Sequence, residues 1–146
     1  MSESRPAPLG TVHHVAIVVR SIDDALPRYA ALFGLAPEGP TIDLPVQRAR
    51  VVFLPTGPHP AARIELVEPT DAESGVARFL ATRGEGLHHV CFASADLPGD
   101  LAALAAADAE LIDHDPRPGA LGMVAFVHPR SLNGVLWELA AHEETD

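Results

Sequence analysis

The chain of 146 residues is long enough for one compact domain or for two closely joined half-domains. Its formal net charge of −10, with no basic run, argues against nucleic acid as a partner. Gly, Pro or a charge interrupts every apolar run before it reaches the roughly 18 residues of a membrane span. The single cysteine, Cys91, permits no internal disulfide, and the N-terminus lacks the pattern of a signal peptide, so we expect a soluble cytoplasmic protein.

The first predicted strand lies in "TVHHVAIVV", residues 11–19, where small and bulky apolar residues alternate after a His-His pair. The helical stretch "SIDDALPRYAALFG" follows, with a capping pattern at Ser21 and a terminating glycine at Gly34. Because proline is tolerated only in the first turn of a helix, Pro27 predicts an irregular helix start.

Three strands follow the helix, and "VVFLP" and "ARIELVEP" are the last two of them; a short helix, "SGVARFLATRG", then leads out of the first half. The second half begins with "GLHHVCFAS" and continues with the alanine-rich helix "LPGDLAALAAADA", which has Pro98 near its first position. It ends with strands in "VAFVHP" and "GVLWELAAH". In each half, a Gly- and Pro-containing turn joins the last two strands.

The two halves repeat each other at a nearly constant offset. The separation between His14 and His89 is almost the same as the separation between Glu65 and Glu138, and the two Val-x-Phe strands are related by the same shift. Each half therefore reads strand, helix and three strands. The sequence predicts an α+β fold made of two tandem βαβββ modules, whose short edge strands would pair with each other or with a second chain.

The predicted boundaries follow from the repeat and from the composition of the two ends. They are a disordered N-terminus at residues 1–10, one domain at 11–140 and an acidic tail at 141–146, with module one at about 11–70, a linker helix at about 74–84 and module two at about 86–140.

The second histidine of each pair is the candidate functional residue. Alternation places His14 on one face of its strand with small neighbours such as Ala16, and it places His89 on one face with Cys91, while His13 and His88 point away. A single strand histidine is more often satisfied by backbone carbonyls, but the duplication favours a shared role.

Glu65 and Glu138 lie inside apolar strands, where burying an unpaired carboxylate costs several kcal/mol. The alternation of side chains along each strand would also allow both glutamates to lie on a solvent-exposed face. Each glutamate nevertheless follows the histidine of its own half at a similar distance along the chain. Two imidazoles and two carboxylates could converge on one divalent ion, and this donor set suits Zn, Co, Ni, Mn or Fe(II).

The sequence resembles the vicinal oxygen chelate (VOC) superfamily, also called the glyoxalase and bleomycin-resistance fold. The stretches that carry the resemblance are "HHVAIVV", "RIELVEPT", "GVARFLATRGEGLHHVCF", "LIDHDPRPG" and "VAFVHPRSLNGVLWELA". Within this superfamily the sequence is most similar to the methylmalonyl-CoA epimerase family, over about residues 11–140. The resemblance implies a curved mixed sheet around a metal cup, a homodimer, an acyl-CoA thioester substrate and a preference for cobalt. The family's metal ligands fall on His14, Glu65, His89 and Glu138.

The activity implied by this resemblance is the interconversion of (R)- and (S)-methylmalonyl-CoA through a metal-stabilised enolate. Glu138 and Glu65 would then act as acid and base on opposite faces of the substrate. Gln47 and Arg50 are candidates for substrate binding, and Arg63, Arg117 and Arg130 are further arginines that could meet a phosphate or carboxylate. At Met123 the family commonly has a basic residue.

Three other functions stay open at this point. A glyoxalase-I-like lactoylglutathione lyase would use the same two carboxylates on a glutathione adduct. An extradiol dioxygenase would need two histidines and one carboxylate on Fe(II), and the fourth ligand Glu65 argues against it. A non-catalytic binder would not need four residues of ligand type.

Overall fold

The computed structural model describes residues 5–141. These residues form two compact units, one made of residues 14–88 and the other made of the chain up to His13 together with the chain from His89 onward. The predicted acidic tail lies outside the described residues except for Ala141, as do residues 1–4 of the predicted disordered N-terminus.

Within residues 5–141, each half contains the predicted strand, helix and three strands. The strands are β1 (Val12–Val18), β2 (Ile42–Leu44), β3 (Ala49–Pro55), β4 (Arg63–Pro69), β5 (Gly86–Ser94), β6 (Arg117–Gly119), β7 (Gly122–Val127) and β8 (Leu136–Ala141). The helices are α1 (Ile22–Phe33), α2 (Gly75–Arg83) and α3 (Leu97–Ala106), with a 3-10 turn at Pro129–Ser131. The predicted α+β class with two βαβββ modules is confirmed.

Strand pairing is mixed in the same way in both modules. In the first, β1 lies parallel to β4, β4 lies antiparallel to β3, and β3 lies antiparallel to β2. In the second, β5 lies parallel to β8, β8 lies antiparallel to β7, and β7 lies antiparallel to β6. A strand near the start of each module is thereby hydrogen-bonded to the module's last strand.

Helix α1 is capped at both ends by the predicted residues. The Ser21 side chain accepts a hydrogen bond from the backbone N–H of Asp24, and Gly34 ends the helix at φ 69°, a left-handed conformation that glycine adopts without steric cost. The predicted irregular start is wrong, because the helix begins directly at Ile22 and contains Pro27 in its second turn. Pro27 and Asp23 both face solvent, so water can satisfy the Asp23 carbonyl that the proline leaves without a donor.

Each module has its own apolar core between helix and sheet. In the first module, α1 packs on a buried cluster that includes Ile22, Leu54 and Leu66. In the second, Leu97 and Leu101 of α3 pack with Leu139 and neighbouring residues, and Trp137 covers this cluster. These leucine and isoleucine side chains lie on the helix side of each sheet, and the histidines lie on the other side.

The described part of the N-terminus contacts the second module, which differs from the solvated end expected for residues 1–10. Arg5 pairs with Asp100 of α3 at 3.1 Å, and Leu9 packs against the apolar core of the second module. The Ala93 N–H donates a hydrogen bond to the carbonyl of Thr11 at 2.9 Å. This close approach needs a glycine at position 10, since a Cβ there would overlap the carbonyl oxygen of Ala93.

Among residues 5–141, no helix has both the length and the apolar character required to cross a bilayer.

Replacing Gly10 with alanine tests the N-terminal contact. The added methyl group must displace backbone rather than a flexible side chain, so we expect a loss of about 1–3 kcal/mol of unfolding free energy, or roughly 3–10 °C in Tm. Gly39→Ala is the matched control, because nothing lies within 4 Å of the Cβ it would add. Equal Tm values for the two variants in thermal unfolding would contradict the prediction.

Candidate functional site

The first module brings His14 and Glu65 together. In the parallel pairing of β1 with β4, His14 lies opposite Arg63, so Glu65, two residues further along, is its diagonal neighbour on the same face. The Nε2 atom of His14 is 3.4 Å from Oε1 of Glu65. Both residues are buried, with 3 % and 5 % of their surface exposed. Glu65 therefore does not take the solvated place that alternation alone allowed.

The second module repeats this arrangement with His89 and Glu138. His89 lies opposite Leu136 in the parallel pairing of β5 with β8, which makes Glu138 its diagonal neighbour. Nε2 of His89 is 3.0 Å from Oε1 of Glu138, and both residues are buried. The two modules thus build the same histidine–glutamate pair from equivalent strand positions.

The separations within the two pairs suit metal ligands. Ligand atoms bound at about 2.1 Å are about 3.0 Å apart at neighbouring corners of an octahedron and about 3.4 Å apart in a tetrahedron. The measured 3.0 Å and 3.4 Å agree with these edges. Imidazole nitrogen and carboxylate oxygen are also the donors that Zn, Co, Ni, Mn and Fe(II) accept. Each module can therefore offer two ligands to a divalent ion.

A phenylalanine packs against each histidine–glutamate pair, and the sequence alone did not predict this contact. Phe53 lies opposite Glu65 in the β3–β4 pairing, and Phe126 lies opposite Glu138 in the β7–β8 pairing. Each ring meets its histidine edge to face, with centroids 5.4 Å apart for His14 and 5.6 Å apart for His89. The signal was present in the repeated Val-x-Phe strands, whose phenylalanines are separated along the chain by the same interval as the glutamates.

Of the two predicted substrate residues, Arg50 lies on the opposite face of the sheet from the first histidine–glutamate pair. Arg50 is opposite Glu68, and the alternation of β4 places Glu68 and Glu65 on opposite faces. Arg50 donates to Glu68 at 3.0 Å, and the same carboxylate accepts the N–H of Ile22 at the start of α1 at 2.8 Å. Gln47 is half-buried in the turn at residues 45–48. Arg50 thus faces the helix side of the sheet, and a substrate role for either residue stays a prediction.

Arg117 lies on the same face as the second pair. It is opposite Val124, which shares a face with Phe126 and hence with Glu138. Its guanidinium carbon is 4.9 Å from the centroid of the Phe126 ring, a cation–π contact, and its Nε is 3.3 Å from the Asp113 carboxylate. One aromatic ring separates this cation from His89.

Arg63 and Arg130, like Arg117, are each paired with a carboxylate, and Arg63 lies opposite His14 on the face of the first pair. Arg63 pairs with Glu38 at 2.7 Å. Arg130 makes a two-point contact with Glu110, at 3.1 Å and 2.7 Å, and its hydrogen bond lowers the pKa of the Glu110 carboxyl. The Glu110 hydrogen bond in turn raises the pKa of Arg130. Both arginines are thus engaged in ion pairs within the protein.

Comparison with known proteins decides the family. The profile of the Glyoxalase/Bleomycin resistance protein/Dioxygenase superfamily matches residues 13–126. The chain belongs to this superfamily. The match covers the first module and the second module as far as Phe126, including His14, Glu65 and His89, and it agrees with the predicted VOC fold.

Relatives in the superfamily include epimerases. The chain is 40 % identical to the uncharacterized protein YqjC of Bacillus subtilis over 133 residues. The aligned region covers 90 % of this chain and 91 % of that protein. The chain is 34 % identical over 134 residues to an ethylmalonyl-CoA/methylmalonyl-CoA epimerase of Cereibacter sphaeroides, covering 90 % and 97 % of the two chains.

A solved structure of a methylmalonyl-CoA epimerase in complex with methylmalonyl-CoA and NH4+ is also similar. It matches with a TM-score of 0.87 at 30 % identity, over 95 % of this chain and 99 % of that chain. The predicted resemblance to the VOC superfamily and its epimerases is therefore confirmed.

Truncating the two phenylalanines tests their unequal surroundings. Phe53→Leu removes the ring contact with His14, and Phe126→Leu removes the ring contact with His89 together with the cation–π contact with Arg117. We expect Phe126→Leu to lower the free energy of unfolding by roughly 0.5–1 kcal/mol more than Phe53→Leu, as measured by urea titration. Burial alone predicts the reverse order, because Phe53 is 4 % exposed and Phe126 is 9 % exposed. That reverse order would show that the cation–π contact adds no stability.

Proposed function

We propose that this protein is a metal-dependent epimerase that inverts the α-carbon of a 2-substituted malonyl-CoA thioester, with methylmalonyl-CoA as its substrate. The main structural support for this proposal is that a buried glutamate lies beside a buried histidine at equivalent positions of both modules. The named activities of the relatives support the same reaction. The Cereibacter relative is named for two acyl groups, so the proposal includes the ethyl homologue.

The proposed metal ligands are His14, Glu65, His89 and Glu138, sharing one ion. Two buried carboxylates without a compensating cation would cost several kcal/mol each, which supports a bound ion at these residues. A divalent ion, when bound, supplies positive charge to an oxygen that becomes negative during the reaction, and the family resemblance favours cobalt. Four protein ligands leave room in an octahedral shell for two substrate oxygens.

The glutamates would also move the proton. In the proposed step, the Glu138 carboxylate takes the α-proton, the C–H bond breaks, and its electron pair delocalises toward the thioester carbonyl. Glu65, which would begin the step with a proton on the carboxyl oxygen that does not bind the ion, donates that proton to the opposite face of the planar carbon. The step thus ends with Glu138 protonated and Glu65 ionised, which is the starting state for the reverse reaction. Glutamates from different modules suit this chemistry, because inversion requires an acid and a base on opposite sides of the carbon.

The buried surroundings of the glutamates support this role. Phe53 and Phe126 lie directly opposite Glu65 and Glu138, which have 5 % and 6 % of their surface exposed. Keeping water from a carboxylate strengthens its electrostatic interactions and limits loss of the transferred proton to solvent. We also infer a homodimer from the family resemblance, and size-exclusion chromatography with light scattering tests it.

Cobalt titration distinguishes one shared ion from two separate ions. Because the four proposed ligands form one site, metal-free protein should bind one Co(II) per chain, and His14→Ala and His89→Ala should each abolish binding and the rise in Tm that accompanies it. The exposed residue His114 provides the control, and His114→Ala should bind as the wild type does. Two equivalents per chain, each lost in only one variant, would refute the shared site.

Deuterium exchange at the α-carbon of methylmalonyl-CoA, followed by proton NMR, tests the base assignment. Glu138→Gln and Glu65→Gln should each slow inversion by about 10²- to 10⁴-fold while the variant keeps its metal, because an amide cannot accept the proton. Glu73→Gln changes a side chain that is 85 % exposed and should leave the rate unchanged. Wild-type protein that isomerises a glutathione hemithioacetal but exchanges no α-proton of methylmalonyl-CoA would support the lyase instead.

A further inference from the structure

We propose that Arg117 binds the free carboxylate of the substrate and so fixes which end of a malonyl thioester lies at the second module. This inference rests on the epimerase function proposed above and identifies a residue that selects its substrate class. The position of Arg117, its contacts and the difference between the two modules support it.

The guanidinium of Arg117 has capacity for another anion. Within residues 5–141, its buried Nε is paired with the Asp113 carboxylate at 3.3 Å without a hydrogen bond, and its guanidinium carbon lies over the Phe126 ring at 4.9 Å. The Asp113 oxygen already accepts the backbone N–H of Phe126 at 2.8 Å. A guanidinium has five donors in a planar fork that matches a carboxylate, and the side chain of Arg117 is 35 % exposed.

The Phe126 ring lies between Arg117 and the second histidine–glutamate pair. The guanidinium carbon of Arg117 lies over this ring at 4.9 Å from its centroid, and the same ring meets His89 edge to face at 5.6 Å. Phe126 is also opposite Glu138 in the strand register. A substrate carbon beside Glu138 would therefore share this face of the second module with the Arg117 cation.

The first module lacks this cation at the equivalent position. Val124, which is opposite Arg117, corresponds to Val51 by the repeat that relates Glu138 to Glu65, and Val51 is opposite Ile42. The modules therefore share the histidine, glutamate and phenylalanine but differ at this point. A malonyl thioester has a matching asymmetry, because one end is a negatively charged carboxylate and the other end is a neutral thioester.

A fixed cation at the carboxylate also favours the chemistry. Removing the α-proton adds negative charge to a group that is already an anion, and a guanidinium beside the carboxylate reduces this repulsion. A monoacyl-CoA without the carboxylate would leave the cation uncompensated and bind less tightly. Arg117 would thus contribute to both affinity and selectivity.

Calorimetric binding of malonyl-CoA and propionyl-CoA to the full-length, metal-loaded protein tests the assignment. Both ligands carry the CoA phosphates, but only malonyl-CoA carries an acyl carboxylate. In the wild type we expect malonyl-CoA to bind at least about tenfold more tightly, and in Arg117→Met we expect about 10- to 100-fold weaker malonyl-CoA binding with propionyl-CoA unchanged. Arg117→Lys should restore part of the preference, because it keeps the charge but not the planar fork.

Arg130→Met is the matched control, since Arg130 is paired with Glu110 and should not affect the preference. Equal weakening of both ligands in Arg117→Met would mean that Arg117 meets a CoA phosphate, and it would overturn the assignment, as would an unchanged preference. Either result with α-proton exchange intact in the wild type would refute only the role of Arg117. Absence of exchange in the wild type would instead refute the epimerase function.

Discussion

Each module holds a glutamate carboxylate beside a histidine imidazole where water has almost no access. An isolated buried carboxylate is costly enough to be neutralised or expelled, so its position must be compensated by a cation or a hydrogen-bonding partner. The sheet supplies this compensation by register. The parallel pairing of the first and last strands of a module makes the His14–Glu65 and His89–Glu138 pairs diagonal neighbours, and the adjacent antiparallel strand adds Phe53 or Phe126 opposite the carboxylate. The helix-facing cores keep the strands in this register.

Much of this arrangement could be predicted because the chain presents its pattern twice. A single strand histidine or glutamate carries little information, whereas a second copy at a nearly constant offset separates shared features from incidental ones. The phenylalanines were within the same repeat, but their place opposite the glutamates depends on the lengths of the turns, which composition does not fix. Pro27 was misjudged for a similar reason, since its effect depends on whether the Asp23 carbonyl faces water.

The arginines show what a sequence cannot resolve. Arg50 lies in β3 and Arg117 lies in β6, and positive charge alone makes both of them candidates for binding an anion. Strand register separates them, because Arg50 faces the helix side with Glu68 while Arg117 shares a face with Glu138. One residue of slip in either hairpin would exchange these assignments. The modules have kept the residues that suit the common chemistry and have diverged at Ile42 and Arg117.

The path of the first residues affects how the duplication can be divided. Leu9, Gly10 and Thr11 belong to the same compact unit as the chain from His89 onward, although they lie before or at the very start of the first module. A gene fragment starting at residue 86 would therefore encode a second module without a segment that covers its core.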